Sequence, residues 1–159
     1  MTLAKYASSI CHPSQRGFLS NRFLADSVLE MVLQSRKHYI ADDSSHLLLF
    51  DLTAAFPSLN QDSLWKGVQK QNIPENWIHA LKLLYRNNDT FLQVDGVELG
   101  SFRCSSGVRQ GCPLSPVLFA LAMDPFIRMC NKKLNKNATL RAYSHDPRSS
   151  QIICLHSHN

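Results

Sequence analysis

Two stretches of this chain hold residue types and spacings suited to chemistry. Residues 106–119 read S-G-V-R-Q-G-C-P-L-S-P-V-L-F and lead straight into an apolar helical run. Gly107 and Gly111 permit torsions or close approaches that a side chain forbids. Pro113 and Pro116 stiffen the chain between them. Arg109 and Gln110 place planar hydrogen-bond donors on that frame. Such a loop suits a flat polar ligand held against backbone, a nucleotide for example; taken alone it equally suits a well-formed turn before a core helix. The second stretch is H-L-L-L-F-D, residues 46–51, a short apolar run that ends in the carboxylate of Asp51. On residue type alone, an aspartate at such a break is a turn or helix cap.

The elements that must position these groups follow from periodicity. Residues 21–39 predict an amphipathic helix with Leu24, Val28, Leu29, Val32 and Leu33 on one face. Asp42, Asp43, Ser44 and Ser45 mark a turn, and the 46–51 run fits a buried strand. A helix is expected from about residue 62, carrying Leu64, Trp65 and Val68, and Pro74 suits the first turn of another that runs through Trp77, Ile78, Leu81, Leu84 and Tyr85. Residues 90–94 alternate as a strand, Asp95-Gly96 is a hairpin signal, and 97–102 form the return strand. A helix kinked at Pro125 is expected over 116–134, then a last strand at 139–143.

Composition narrows the class. The chain has 159 residues, which fits one domain or part of one. Its net charge is +5, with a pI near 9.1, compatible with an anionic partner such as nucleic acid. Five cysteines, none in a C-x-x-C pair, point to a reducing compartment and no disulfide partner. Cys154, His156 and His158 form a C-x-H-x-H tail that lacks a fourth zinc ligand. The first residues lack the apolar core of a signal peptide. No run approaches the roughly 20 apolar residues that span a bilayer. A soluble protein of cytoplasm or nucleus, with no membrane partner, is the expectation. Residues 144–159, rich in Ser and His and carrying Pro147, read as a divergent, disordered tail behind a domain at 1–143.

Four blocks in order resemble the reverse transcriptases of LINE-type (non-LTR) retrotransposons. Q-R-G-F-L-S-N-R at 15–22 is similar to that family's Q-x-G-F-x-x-x-R block, and F-D-L-T-A-A-F-P-S-L at 50–59 to its first catalytic-aspartate block. Ile73-Pro74, Leu84-Tyr85 and Gly96 fall where the family has its G-I-P, L-Y and hairpin-glycine signals. Residues 106–119 match its G-x-x-Q-G-x-x-L-S-P-x-L-F block. The resemblance implies an α+β fold: a polymerase palm-like small antiparallel sheet packed against helices, with fingers and thumb largely missing. It implies RNA-directed DNA polymerisation, in which two divalent ions about 3.5–4 Å apart clamp the attacking and leaving oxygens. Mg²⁺, with Mn²⁺ as substitute, takes hard oxygen ligands, and the implied partners are an RNA template, a DNA primer and deoxynucleoside triphosphates.

Carried over residue by residue, the resemblance makes Asp51 the first metal ligand, joined by the backbone carbonyl of Leu52. It makes Phe56 the aromatic that packs on the sugar and disfavours a 2′-hydroxyl. Gln110 and Gly111 lie along the nucleotide and template, Arg109 meets a phosphate or braces the loop, and Gln15, Gly17 and Arg22 match a block near the template path, with a solvated helix charge as the alternative for Arg22. The second carboxylate block departs from the family. Where an aromatic-Ala-Asp-Asp is the pattern, this chain has Ala142-Tyr143-Ser144-His145-Asp146-Pro147. Neutral imidazole is a poor magnesium ligand, which leaves Asp146 as the second acidic candidate and Pro147 interrupting the strand. The expectation is a domain that is inactive by itself. The alternative is a non-catalytic palm remnant that still binds nucleic acid.

Overall fold

The computed structural model describes residues 2–40, 50–87, 89–136 and 155–156. Helix α1 (Leu3–Ile10) is followed by α2 (Leu24–Ile40), strand β1 (Phe50–Asp51), the short α3 (Ala55–Ser58), α4 (Gln61–Gln69) and α5 (Glu75–Tyr85). The hairpin β2 (Asp89–Val94) and β3 (Val97–Arg103) precedes the long α6 (Ser115–Lys136), and β4 (Leu155–His156) pairs parallel to β1. The fold is helix-rich with a small antiparallel sheet, consistent with an incomplete palm-like α+β domain. The strand expected at 139–143, and Asp146, lie outside the described residues. Of the 46–51 run, Phe50 and Asp51 are described, and both are in β1.

The core is built where α4, α5 and α6 meet α1. Asn60 caps α4, its Oδ1 accepting the Ser63 N–H at 2.9 Å, and Asp62 and Lys66 sit at the dipole-favoured ends. Its buried Leu64 and Val68 join Ile78, Leu81 and Tyr85 of α5 and Val117, Leu118, Ala120 and Leu121 of α6. Helix α1 is not among the elements that periodicity predicts. It adds Ala7, fully buried, and anchors through Tyr6, whose hydroxyl donates to the Asn72 carbonyl at 2.7 Å while its ring meets Trp77 edge-on.

Helix α6 continues through Pro125 rather than ending there. A proline has no N–H for the carbonyl four residues back, so Leu121 would be left without its helical donor. Gln71 Nε2 supplies one from across the interface, at 2.8 Å from that carbonyl. One turn away, a Cβ on Gly67 would lie 3.7 Å from the Pro125 ring, so α4 and α6 approach closely there.

Asp95 and Gly96 turn the hairpin with φ +51° and +81°, the two positive values that a type I′ turn needs. A register shift after Leu92 leaves Gly100 at φ +142°, a bulge. Every residue of both strands is exposed. The apolar face of α2 is also exposed, including Leu24, Val28, Leu29, Val32 and Leu33. Arg16 ties this helix to the preceding loop through Glu30, at 2.6 Å.

Candidate functional site

The glycine loop is fastened to α3 and its C-cap Leu59, five to eight residues after Asp51. The Gly107 N–H donates to the Leu59 carbonyl at 2.6 Å, and the Val108 N–H to the Phe56 carbonyl at 3.0 Å. Gln61 Nε2 donates to the Gly107 carbonyl at 3.1 Å. Glycine is required at 107 on two grounds. Its φ is +78°, and a Cβ would stand 2.9 Å from Phe56 O, Pro57 Cα and Pro57 O. Upstream, Ala54 holds φ +51°, a left-handed alanine that turns the chain from β1 into α3 and sets Phe56 relative to Asp51.

A third segment joins through aromatic rings. Phe18 lies 5.7 Å from Phe56 and 6.3 Å from Phe119, and Phe56 lies 5.0 Å from Phe119, centroid to centroid. One ring comes from each of the segments 15–22, 50–59 and 106–119. Three stretches far apart in sequence therefore form one locus, and such edge and offset pairs favour a fixed ring geometry.

The candidate residues divide by what they touch. Asp51 is exposed at the end of β1, and its Oδ1 accepts the Leu52 N–H at 2.9 Å. Gln110 and Gly111 are exposed on a turn in which the Cys112 N–H faces the Arg109 carbonyl at 3.5 Å. Gly111 has φ +78° and open space around it, leaving backbone free to be approached. Arg109 reaches back to the end of α5, donating to the Leu84 carbonyl at 2.7 Å with its guanidinium 5.6 Å above the Tyr85 ring. Both contacts tie the glycine loop to the end of α5.

Arg22 clamps the end of α1. Its Nη1 donates to the carbonyls of His12 and Gln15 and its Nη2 to those of Ser8 and Cys11, at 2.6–2.9 Å. Gln15 is buried, and its amide turns inward to the Gly17 carbonyl at 3.4 Å. Gly17 is half-buried near Leu24. These three shape the loop that carries Phe18. Periodicity missed Phe18 and Gln61; an aromatic directly after a glycine in a polar loop was the available signal for the first.

Beneath this loop lies a polar joint. Asp124, 1% exposed, accepts the His12 N–H at 2.5 Å and Arg128 Nε at 2.6 Å, and Arg128 Nη2 donates to the Ile10 carbonyl at 2.6 Å. Burial, then the Asp124 charge, push the Cys11 thiol up to about 11. Burial, then Arg128, hold His12 below its ordinary 6.5. A thiol kept protonated is no nucleophile, so Cys11, His12 and Asp124 are a structural cluster.

The family model for reverse transcriptase (RNA-dependent DNA polymerase) matches residues 1–147, and the chain belongs to that family. It is similar to the Pol polyprotein of the type-2 retrotransposable element R2DM of Drosophila melanogaster, 34% identical over 119 residues, 73% of this chain and 11% of the relative. It is also similar to the Pol polyprotein of a type-1 element R2 of Nasonia vitripennis, 27% identical over 114 residues, 72% of this chain and 11% of that protein. The uncharacterized 149 kDa protein of transposon TX1 of Xenopus laevis is 25% identical over 136 residues, 84% of this chain and 10% of its own length. The chain thus spans about a tenth of these relatives. It is a segment of reverse transcriptase of the non-LTR mobile-element type.

Reverse transcriptases use divalent metal ions. Asp51 and the Leu52 carbonyl offer hard oxygens of the right kind. Among the described residues no group of three or more His, Cys, Asp or Glu side chains could hold an ion. One carboxylate, with an oxygen already engaged by Leu52, falls short of a metal site by itself. No described helix is long and apolar enough to cross a membrane.

Proposed function

We propose that this chain is the part of a polymerase palm that seats the incoming deoxynucleotide and the template, and that it does not complete the two-ion chemistry alone. The convergence of three segments on the Phe18–Phe56–Phe119 cluster, with the glycine loop bonded to α3 and Leu59 of the block that begins with Asp51, carries this reading. Asp51 contributes one oxygen donor towards magnesium or manganese, and a second acidic group has to come from beyond the described residues, Asp146 being the candidate. Phe56 meets the sugar. Gln110 and the open backbone at Gly111 face the nucleotide and template. Arg109, Arg22, Gln15 and Gly17 hold the two loops in place. The net charge of +5 favours an RNA template and DNA primer as partners.

Two measurements test this. Binding of an RNA template–DNA primer duplex is expected to weaken steeply between low and moderate salt, and salt-insensitive or undetectable binding refutes the nucleic-acid reading. Primer extension with Mg²⁺ or Mn²⁺ is expected to give no incorporation. Robust incorporation that vanishes in Asp51→Ala would show the chain to be a complete catalyst. The second reading, a remnant that binds nucleic acid without a nucleotide site, predicts duplex binding with no magnesium-dependent retention of dATP.

A further inference from the structure

We propose that Phe18 is a positioning residue that sets sugar specificity: it holds Phe56 at the angle at which that ring meets the nucleotide sugar, and so tunes the preference for deoxyribose over ribose. This rests on the reading of Phe56 given above.

The backbone supplies the first argument. Phe18 has φ +64°, a left-handed conformation that a bulky L-residue adopts only when its surroundings impose it. Burial of the ring does not account for this, since Phe18 remains 45% exposed. What the conformation achieves is contact. It places the ring 5.7 Å from Phe56 at an interplanar angle of 60°, and edge-on to Phe119 at 6.3 Å and 88°.

The second argument concerns which neighbour of Phe56 can vary. Phe119 is buried in α6 and fixed by that helix. Phe18 sits on a loop whose shape is imposed by polar ties. Arg22 holds the carbonyls of His12 and Gln15, Gln15 turns to the Gly17 carbonyl, and Arg16 pairs with Glu30 at 2.6 Å. Phe56 is therefore held between a helix-borne ring and a loop-borne ring. Discrimination between the two sugars depends on excluding one hydroxyl, which requires the excluding ring to stay in place. Without Phe18, Phe56 gains room to rotate towards the vacated side.

The test uses the full chain with MgCl₂ and an RNA template–DNA primer duplex, and measures equilibrium retention of dATP and of ATP. The wild type is expected to prefer dATP. In Phe18→Ala the dATP-to-ATP affinity ratio falls about threefold to tenfold, the scale of one aromatic pair. Phe56→Ala lowers it at least as far, the double variant lowers it no further, and Phe18→Tyr restores it. Phe18→Leu, which keeps the bulk without the ring, repeats the test should the alanine variant fail to fold. An unchanged ratio in Phe18→Ala or Phe18→Leu alongside a lowered ratio in Phe56→Ala overturns the proposal. Equal weakening of dATP and ATP also overturns it, because that marks general structural support. A wild type without preference, unaltered by Phe56→Ala, refutes the role of Phe56 itself and this inference with it.

Discussion

Helices α4 and α5 bury their apolar faces, and α2 leaves the equivalent face open. Leu64 and Val68, Ile78 and Leu81, and the Val28, Leu29, Val32 and Leu33 stripe all stand at helical i, i+3 or i+4 spacing, yet the first two pairs are buried and the last set exposed. Periodicity reports that a face exists, not what covers it. What distinguishes the assembled region is a set of side chains reaching to backbone across elements: Gln61 to Gly107, Gln71 to Leu121, Arg109 to Leu84, Arg128 to Ile10. The bonds from Gln61 and Gln71 satisfy part-buried carbonyls that would otherwise be costly, and those from Arg109 and Arg128, more exposed, tie one element to the next.

The contrast is open to attack by substitution. Gly107→Ala should have the largest effect, destabilising by about 3 kcal/mol or more in urea unfolding, because a Cβ collides with backbone. Gly111→Ala shares φ +78° but meets nothing, so the conformational cost of about 1–2 kcal/mol stands alone; equal losses at the two sites would mean that the close approach to Phe56 and Pro57 is unimportant. Arg22→Ala, which strands four carbonyls, should cost about 2–3 kcal/mol by the same measurement. Gln71→Ala should cost about 1 kcal/mol, and a null result would show that Leu121 needs no borrowed donor.

His12 should appear as a slope against pH. The folded state favours the neutral ring, so its pKa lies below the 6.5 of the unfolded chain. Above 6.5 neither state binds the proton and the stability is intact. As pH falls below 6.5 the unfolded chain takes the proton first, and stability is lost progressively until the folded pKa is passed. Thermal midpoints from pH 8 to pH 5 should show this decline, and His12→Asn should flatten it. Smallest of all, Leu29→Gln on the open face of α2 should shift stability by no more than about 0.5 kcal/mol; a large loss there would mean the face is covered in solution.

The sequence disclosed the hairpin to the residue at Asp95-Gly96, because a type I′ turn has a local chemical requirement. It also disclosed α2, α4, α5 and α6, whose apolar spacing is regular. Helix α1 escaped because it is only eight residues long, so that the stripe of Leu3, Tyr6, Ala7 and Ile10 spans barely two turns. α3 escaped because Pro57 reads as a break, although it falls within the first turn of a four-residue helix, where no N–H is needed. Of the site, the glycine loop and the Asp51 turn were legible as motifs. Their mutual attachment was not, since it runs through backbone groups of Phe56, Leu59 and Gly107 that every residue type carries. The partners of Arg22 are likewise all carbonyls, which leave no trace in side-chain pattern.

The pairing of Gly67 with Pro125 and of Gln71 with Leu121 has a mechanical consequence. Gly67 lies in α4 and Gln71 just past its end, and their partners Pro125 and Leu121 are one turn apart in α6, so sliding α4 against α6 by a turn forfeits both contacts at once. A residue that usually interrupts helices here acts as a registration pin. Because Ser115 at the head of that same helix follows directly from the glycine loop, the pin also sets how far the loop can travel along the helix axis.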